Sequence, residues 1–83
     1  MTKVEIYTTN YCPYCRAAKS LLEEKGCEYR EINLDREHKK KYELMSELNW
    51  RTVPIILIDG NLVGGYDQLA ELERQNKLDQ LLN

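Results

Sequence analysis

The chain has 83 residues, 42% of them hydrophobic and 31% charged, with a formal net charge of −2. That length suits one domain spanning residues 1–83, and the composition is globular, far from the polar, highly charged regime of disordered chains. The longest apolar run, Val53-Pro54-Ile55-Ile56-Leu57-Ile58, falls well short of the ~20 residues that cross a bilayer. The first seven residues have no apolar core of a secretory signal, so a cytoplasmic location without membrane attachment is expected. Lys39-Lys40-Lys41, flanked by Glu37 and Glu43, is too short for a phosphate-binding stripe, and nucleic acid is not an expected partner.

In chain order, Val4 and Ile6 alternate with Glu5 and lead into Tyr7 and Thr8, the period of a strand over 3–8. Pro13 suits the first turn of a helix, and Ala17, Ala18, Leu21 and Leu22 form an apolar stripe that runs to Gly26, a natural C-terminal cap. Tyr29, Ile32 and Leu34 predict a second strand. Asp35 is placed to cap a second helix, with Tyr42, Leu44, Met45 and Leu48 facing inward. The apolar run from Val53, the tight-turn pair Asp59-Gly60 and then Leu62-Val63 predict an antiparallel hairpin that ends at Gly64-Gly65. One or two closing helices carry Leu69, Leu72, Leu78, Leu81 and Leu82, with Asp67 as the expected N-cap. A βαβ half followed by a ββα half makes the expected fold α/β, a mixed four-stranded sheet flanked by helices.

Three cysteines are an odd number in a small chain expected to stay unexported, which disfavours a disulfide framework and points to thiols used as reagents or ligands. Cys12-Pro13-Tyr14-Cys15 falls between the first strand and the first helix. Cys12 then sits near the N-cap, where unpaired N–H groups and the helix dipole favour its thiolate by ~0.3–2 kcal/mol. Arg16 and Lys19 are candidate thiolate-stabilising cations, and Cys12 is the expected nucleophile. A zinc site completed by Cys27 and His38 fails on distance. Cys27 lies twelve residues beyond Cys15, ~18 Å along a helix rising ~1.5 Å per residue, so no metal is expected. Cys27 reads as a passive, partly buried residue at a strand start, and His38 and the three lysines as a solvated face. A C-x-x-C between the strand and helix of a βαβ pattern indicates thiol–disulfide exchange.

Cys12-Pro13-Tyr14-Cys15, Thr52-Val53-Pro54 and Gly64-Gly65-Tyr66-Asp67 resemble, in order, the three signatures of the dithiol glutaredoxins, over essentially the whole chain. The resemblance implies a thioredoxin-like fold, a monomer, glutathione as cosubstrate, and reduction of glutathionylated proteins and some protein disulfides. Cys12 is then the catalytic nucleophile and Cys15 the resolving thiol. It also implies a cis peptide before Pro54, with the Thr52-Val53 backbone open to an extended peptide. Carried over by position, the glutathione-binding residues are Tyr14, Arg51, Thr52, Val53, Pro54, Gly64, Gly65, Tyr66 and Asp67. The Val53 backbone would pair with the cysteinyl part, the glycines would allow close approach, and Asp67 with adjacent N–H groups would receive the γ-glutamyl end.

There are departures from the family pattern. Thr9 stands where many relatives have a lysine for the glycyl carboxylate, which leaves that task to Arg51, and Leu57 stands where they often have phenylalanine. Trp50 and Tyr11 are expected to flank the groove, either stacking on a protein substrate or packing. Two other functions use the same cysteines. An electron donor to ribonucleotide reductase, recharged by thioredoxin reductase, would not need the Gly64-Gly65-Tyr66-Asp67 signature. A dimeric carrier of an iron–sulfur cluster, bridged through Cys12 and glutathione, is disfavoured by the stiff Pro13.

Overall fold

A computed structural model describes residues 2–82. Its elements are β1 (Val4–Thr8), α1 (Pro13–Glu24), β2 (Arg30–Asn33), α2 (His38–Leu48), β3 (Ile55–Ile58), β4 (Asn61–Gly64), α3 (Tyr66–Arg74) and α4 (Leu78–Leu82), with a 3-10 turn at Leu34–Arg36. The sheet runs β2-β1-β3-β4. β1 and β2 are parallel across the α1 crossover, while β1 with β3 and β3 with β4 are antiparallel. The expected mixed four-stranded sheet flanked by helices is therefore present. No described helix is long and apolar enough to cross a membrane.

β3 is buried along its whole length, so its two-residue alternation supplies a core to both faces of the sheet. Ile56 and Ile58, with Val4 and Ile6 of β1, pack on Ala18 and Leu22 of α1, Leu69 of α3 and Leu78 of α4. Ile55 and Leu57, with Tyr7, pack on Leu34 and on Leu44, Met45 and Leu48 of α2. Leu57 thus serves as packing in the second core. At the end of α1, Gly26 takes φ 68, and the N–H groups of Gly26 and Cys27 bond the carbonyls of Glu23 and Leu22, each at 3.0 Å. This left-handed glycine cap turns the chain back toward β2.

Four local expectations are corrected. β2 is shorter than the run from Tyr29 to Leu34: the Tyr29 hydroxyl is drawn to Glu23 at 2.5 Å, and Leu34 opens the 3-10 turn. Asp35 does not cap α2, whose N-cap is Glu37; its carboxylate accepts the Asn10 N–H at 2.6 Å and so ties down the loop ahead of Cys12. Tyr42 does not face inward. It is 71% exposed, because α2 meets only one layer and fully buries none of its residues. Asp67 is not the N-cap of α3; that position belongs to Gly65, whose N–H donates to Gln68 Oε1 at 2.8 Å.

Candidate functional site

β1 ends at Thr8 and α1 begins at Pro13, so the intervening loop delivers Cys12 to the N-cap of α1, in extended backbone with φ −133 and ψ 99. There Cys12 Sγ accepts the Cys15 N–H at 3.1 Å, the bond that a serine or aspartate oxygen makes at most helix starts. Pro13 follows at the first helical position, where a missing N–H costs nothing. On its other side Cys12 Sγ lies 3.7 Å from the Val53 carbonyl oxygen, which comes from the segment that enters β3. The Val53–Pro54 bond is cis, as expected. All three cysteines are free thiols. Cys12 is 8% exposed and Cys15 only 2%, so Cys12 is less open than a partly exposed thiol, and Cys15 is sealed behind it. Of the two buried thiols, Cys12 is the more open to an arriving sulfur.

Burial pushes the Cys15 thiol up to about 12, helped by its hydrogen bond to Cys12. Burial likewise raises Cys27, and burial with the Glu23 hydrogen bond raises Tyr29 to about 12. These groups are acids held neutral by the fold. Below about pH 8 they are protonated in both folded and unfolded chains, and the stabilisation is complete; as pH climbs toward 12 the unfolded chain ionises first and stability falls. The urea midpoint of the reduced protein is expected to be flat from pH 7 to about 8 and to drop steadily above it, with a shallower drop in Cys15→Ser. Equal slopes for the two proteins would show that Cys15 is not the group held neutral.

Beside Cys12 a groove of about 350 Å³ is lined by Tyr14, Trp50, Thr52, Val53, Pro54, Gly65, Tyr66, Asp67 and Gln68. Seven of the residues carried over from the family pattern are thus brought together by three separate segments. Tyr14 and Tyr66 face each other with ring centroids 6.2 Å apart. Gly64 lies just behind this lining, at φ 126, packed against Gln68. Arg51 lies outside it, in a neighbouring hollow with Tyr42, Met45, Ser46 and Asn49, and Tyr11 stands 93% exposed. Trp50 both packs on the second core and lines the groove, with its Nε1–H buried and unbonded. Gln68 was missed in the sequence, because the N-cap is a glycine with no side chain, which leaves only the glutamine half of a capping box to be seen. A larger hollow of about 490 Å³ lies between the β3–β4 hairpin and α3, lined by residues such as Leu62, Leu72 and Leu81. No cysteine lines it.

The glutaredoxin family model matches residues 4–63. The chain belongs to the glutaredoxin family. It is 43% identical over 82 residues to glutaredoxin 3 of Escherichia coli strain K12, covering 99% of each chain. It is 47% identical over 83 residues to a glutaredoxin of Pseudomonas aeruginosa, covering 100% of this chain and 99% of that one. Among solved structures, a crystal structure of a buckwheat glutaredoxin–glutathione complex superposes with a TM-score of 0.92 at 32% identity, covering 98% of this glutaredoxin and 76% of that chain. The fold is the thioredoxin-like one of these structures. For a glutaredoxin with the Cys12–Cys15 pair, the activity implied is thiol–disulfide oxidoreduction.

Proposed function

We propose that this glutaredoxin is a cytoplasmic, monomeric, glutathione-dependent oxidoreductase that reduces glutathione mixed disulfides and some protein disulfides, with no metal. The observation that carries the reading is the placement of Cys12 Sγ. It accepts an N–H from the start of α1 and lies beside the Val53 carbonyl, at the edge of a groove walled by Tyr14, Thr52, Gly65 and Asp67. The Cys12 thiolate attacks the glutathione sulfur of a mixed disulfide, the substrate thiolate leaves and takes a proton from water, and Cys12 carries the glutathionyl group. A second glutathione thiolate then attacks that sulfur, releasing glutathione disulfide and the Cys12 thiolate. With protein disulfides, Cys15 closes the Cys12–Cys15 bond and expels the substrate thiol, and two glutathiones restore the pair. Arg16 and Lys19 supply positive charge on the cysteine helix.

In the groove, the Val53 backbone offers an extended peptide its hydrogen bonds, Pro54 and Tyr66 supply apolar walls, and the neutral N–H groups at the start of α3 with Asp67 receive the γ-glutamyl end. Arg51, from the adjoining hollow, takes the glycyl carboxylate. Turnover of a small glutathione mixed disulfide, coupled to glutathione reductase and NADPH, tests the reading; a protein that turns over only when thioredoxin reductase is supplied overturns it.

Asp67→Ala is expected to raise KM for that substrate about tenfold with kcat within about twofold, because a charge-assisted bond of ~1.5–3 kcal/mol is lost equally from ground and transition states. Asp67 makes no capping bond, since Gln68 does that, so the melting temperature should stay near wild type. A tenfold fall in kcat at unchanged KM would remove Asp67 from substrate binding.

A further inference from the structure

Lys19, a candidate cation for the Cys12 thiolate, is held in place by a carboxylate from β2. Its Nζ lies 3.1 Å from Glu31 Oε2 and 3.3 Å from Oε1, with the lysine about a quarter and the glutamate about a third exposed. The same Glu31 Oε2 accepts the hydroxyl of Thr8 at 2.8 Å, and Thr8 is only 1% exposed. The backbone of the next residue, Thr9, favours the ionised form of the Cys15 thiol. Lys19 itself follows Cys15 by four residues in α1, the helical spacing that puts two side chains on one face. Helical side chains lean toward the N-terminus, so Lys19 covers the turn that holds Cys15. Thr8, Glu31 and Lys19 therefore form a chain of contacts that ends on the residue one helical turn after the buried Cys15.

We propose that Lys19, oriented by Glu31 and Thr8, is a positioning residue for Cys15, stabilising the resolving thiolate as it attacks Cys12. This rests on the resolving role given to Cys15 above. The need for such a residue is plain from the chemistry, since Cys15 must lose its proton before it can act, and burial opposes that loss. Lys19 lowers the cost of the charged form, and Cys12 raises it. The other elements around Cys15 add no opposing charge of their own: the end of β1 and the loop after it bring the neutral Thr8 and Thr9, β3 is wholly apolar, and α3 meets α1 through Leu69. Glu31 of β2 is held ionised by the Thr8 hydroxyl first and by Lys19 after it, so its negative charge is spent on Lys19. In the step itself the Cys15 proton passes to solvent, the Cys15 thiolate forms the bond to Cys12 Sγ, and the substrate sulfur leaves with the electron pair of the broken bond.

The test uses Cys27→Ser protein as the parent and one equivalent of the aromatic disulfide dithiobis-nitrobenzoate, followed by stopped-flow absorbance. Attack by Cys12 releases the first coloured thiolate, and closure by Cys15 releases the second. Lys19→Met in this parent is expected to slow the second phase about 3–10-fold and to move its pH midpoint upward, because one unit of thiol pKa is a tenfold change in thiolate fraction. The first phase should change less than the second, and Lys19→Arg should restore the second. If the first phase slows as much as the second, or if neither changes, Lys19 is not a positioning residue for Cys15. If the parent itself never releases a second equivalent, the resolving role of Cys15 fails instead.

Discussion

Cys12→Ser is expected to abolish turnover of glutathione mixed disulfides, by at least about a thousandfold, while Cys15→Ser keeps much of that activity and Cys27→Ser nearly all of it. The first loss is chemical and not structural. A serine oxygen at the N-cap accepts the residue-15 N–H as Cys12 Sγ does at 3.1 Å, so the helix start survives while the nucleophile is gone. Cys15 differs because in the proposed route glutathione resolves the Cys12 adduct from outside, and that step does not call on a sealed thiol that is 2% exposed. Its serine variant should even gain some activity by losing the side reaction that closes the Cys12–Cys15 bond. On protein disulfides the same variant should stall as a mixed disulfide, visible as a trapped adduct by mass. A folded Cys15→Ser protein that is inactive with glutathione mixed disulfides would defeat this mechanism and favour a two-thiol donor such as one serving ribonucleotide reductase.

Gly64→Ala should be the most damaging single-methyl change near the site, costing about 2–4 kcal/mol. Gly64 sits at φ 126, where an L side chain is strained, and an added Cβ would lie 2.8 Å from Gln68 Cγ and 3.1 Å from its Cβ. Gln68 cannot simply swing away, since its Oε1 accepts the Gly65 N–H that opens α3 at 2.8 Å. Relieving the clash therefore breaks the cap and shifts Gly65 and Asp67 in the groove, so KM for the mixed disulfide should rise along with the loss of stability. Gly60→Ala is the control: its φ is 81 but nothing lies within 4 Å, so only the backbone strain is felt, about 1 kcal/mol. Urea melts of both variants read the difference. Equal costs would mean that the close approach at Gly64 contributes nothing.

The alternation of Val4, Glu5 and Ile6, the stripe from Ala17 to Leu22, Gly26 and the Asp59-Gly60 turn were enough to determine the element order and the mixed sheet, because each is a local choice with one dominant physical solution. The cysteine pair and its place at a helix start were legible for the same reason: strand, loop, proline and helix are contiguous in the chain. What failed were partners that sequence spacing does not encode. Asp35 and Asp67 had the residue type and position of caps, yet Asp35 bonds Asn10 and Gln68 caps α3, since a carboxylate takes whichever donor the fold brings nearest. Tyr42 followed the helical stripe but remained 71% exposed, because the period of a helix does not say how many layers will cover it. The pairing of Lys19 with Glu31 was likewise invisible, because β2 brings Glu31 to it from twelve residues away. Bonds between residues far apart in the chain, such as Thr8 with Glu31, and the walls of a groove drawn from α1, the segment before β3 and the start of α3, exist only once the crossover and the hairpin have closed. Those were decided by the tertiary structure alone.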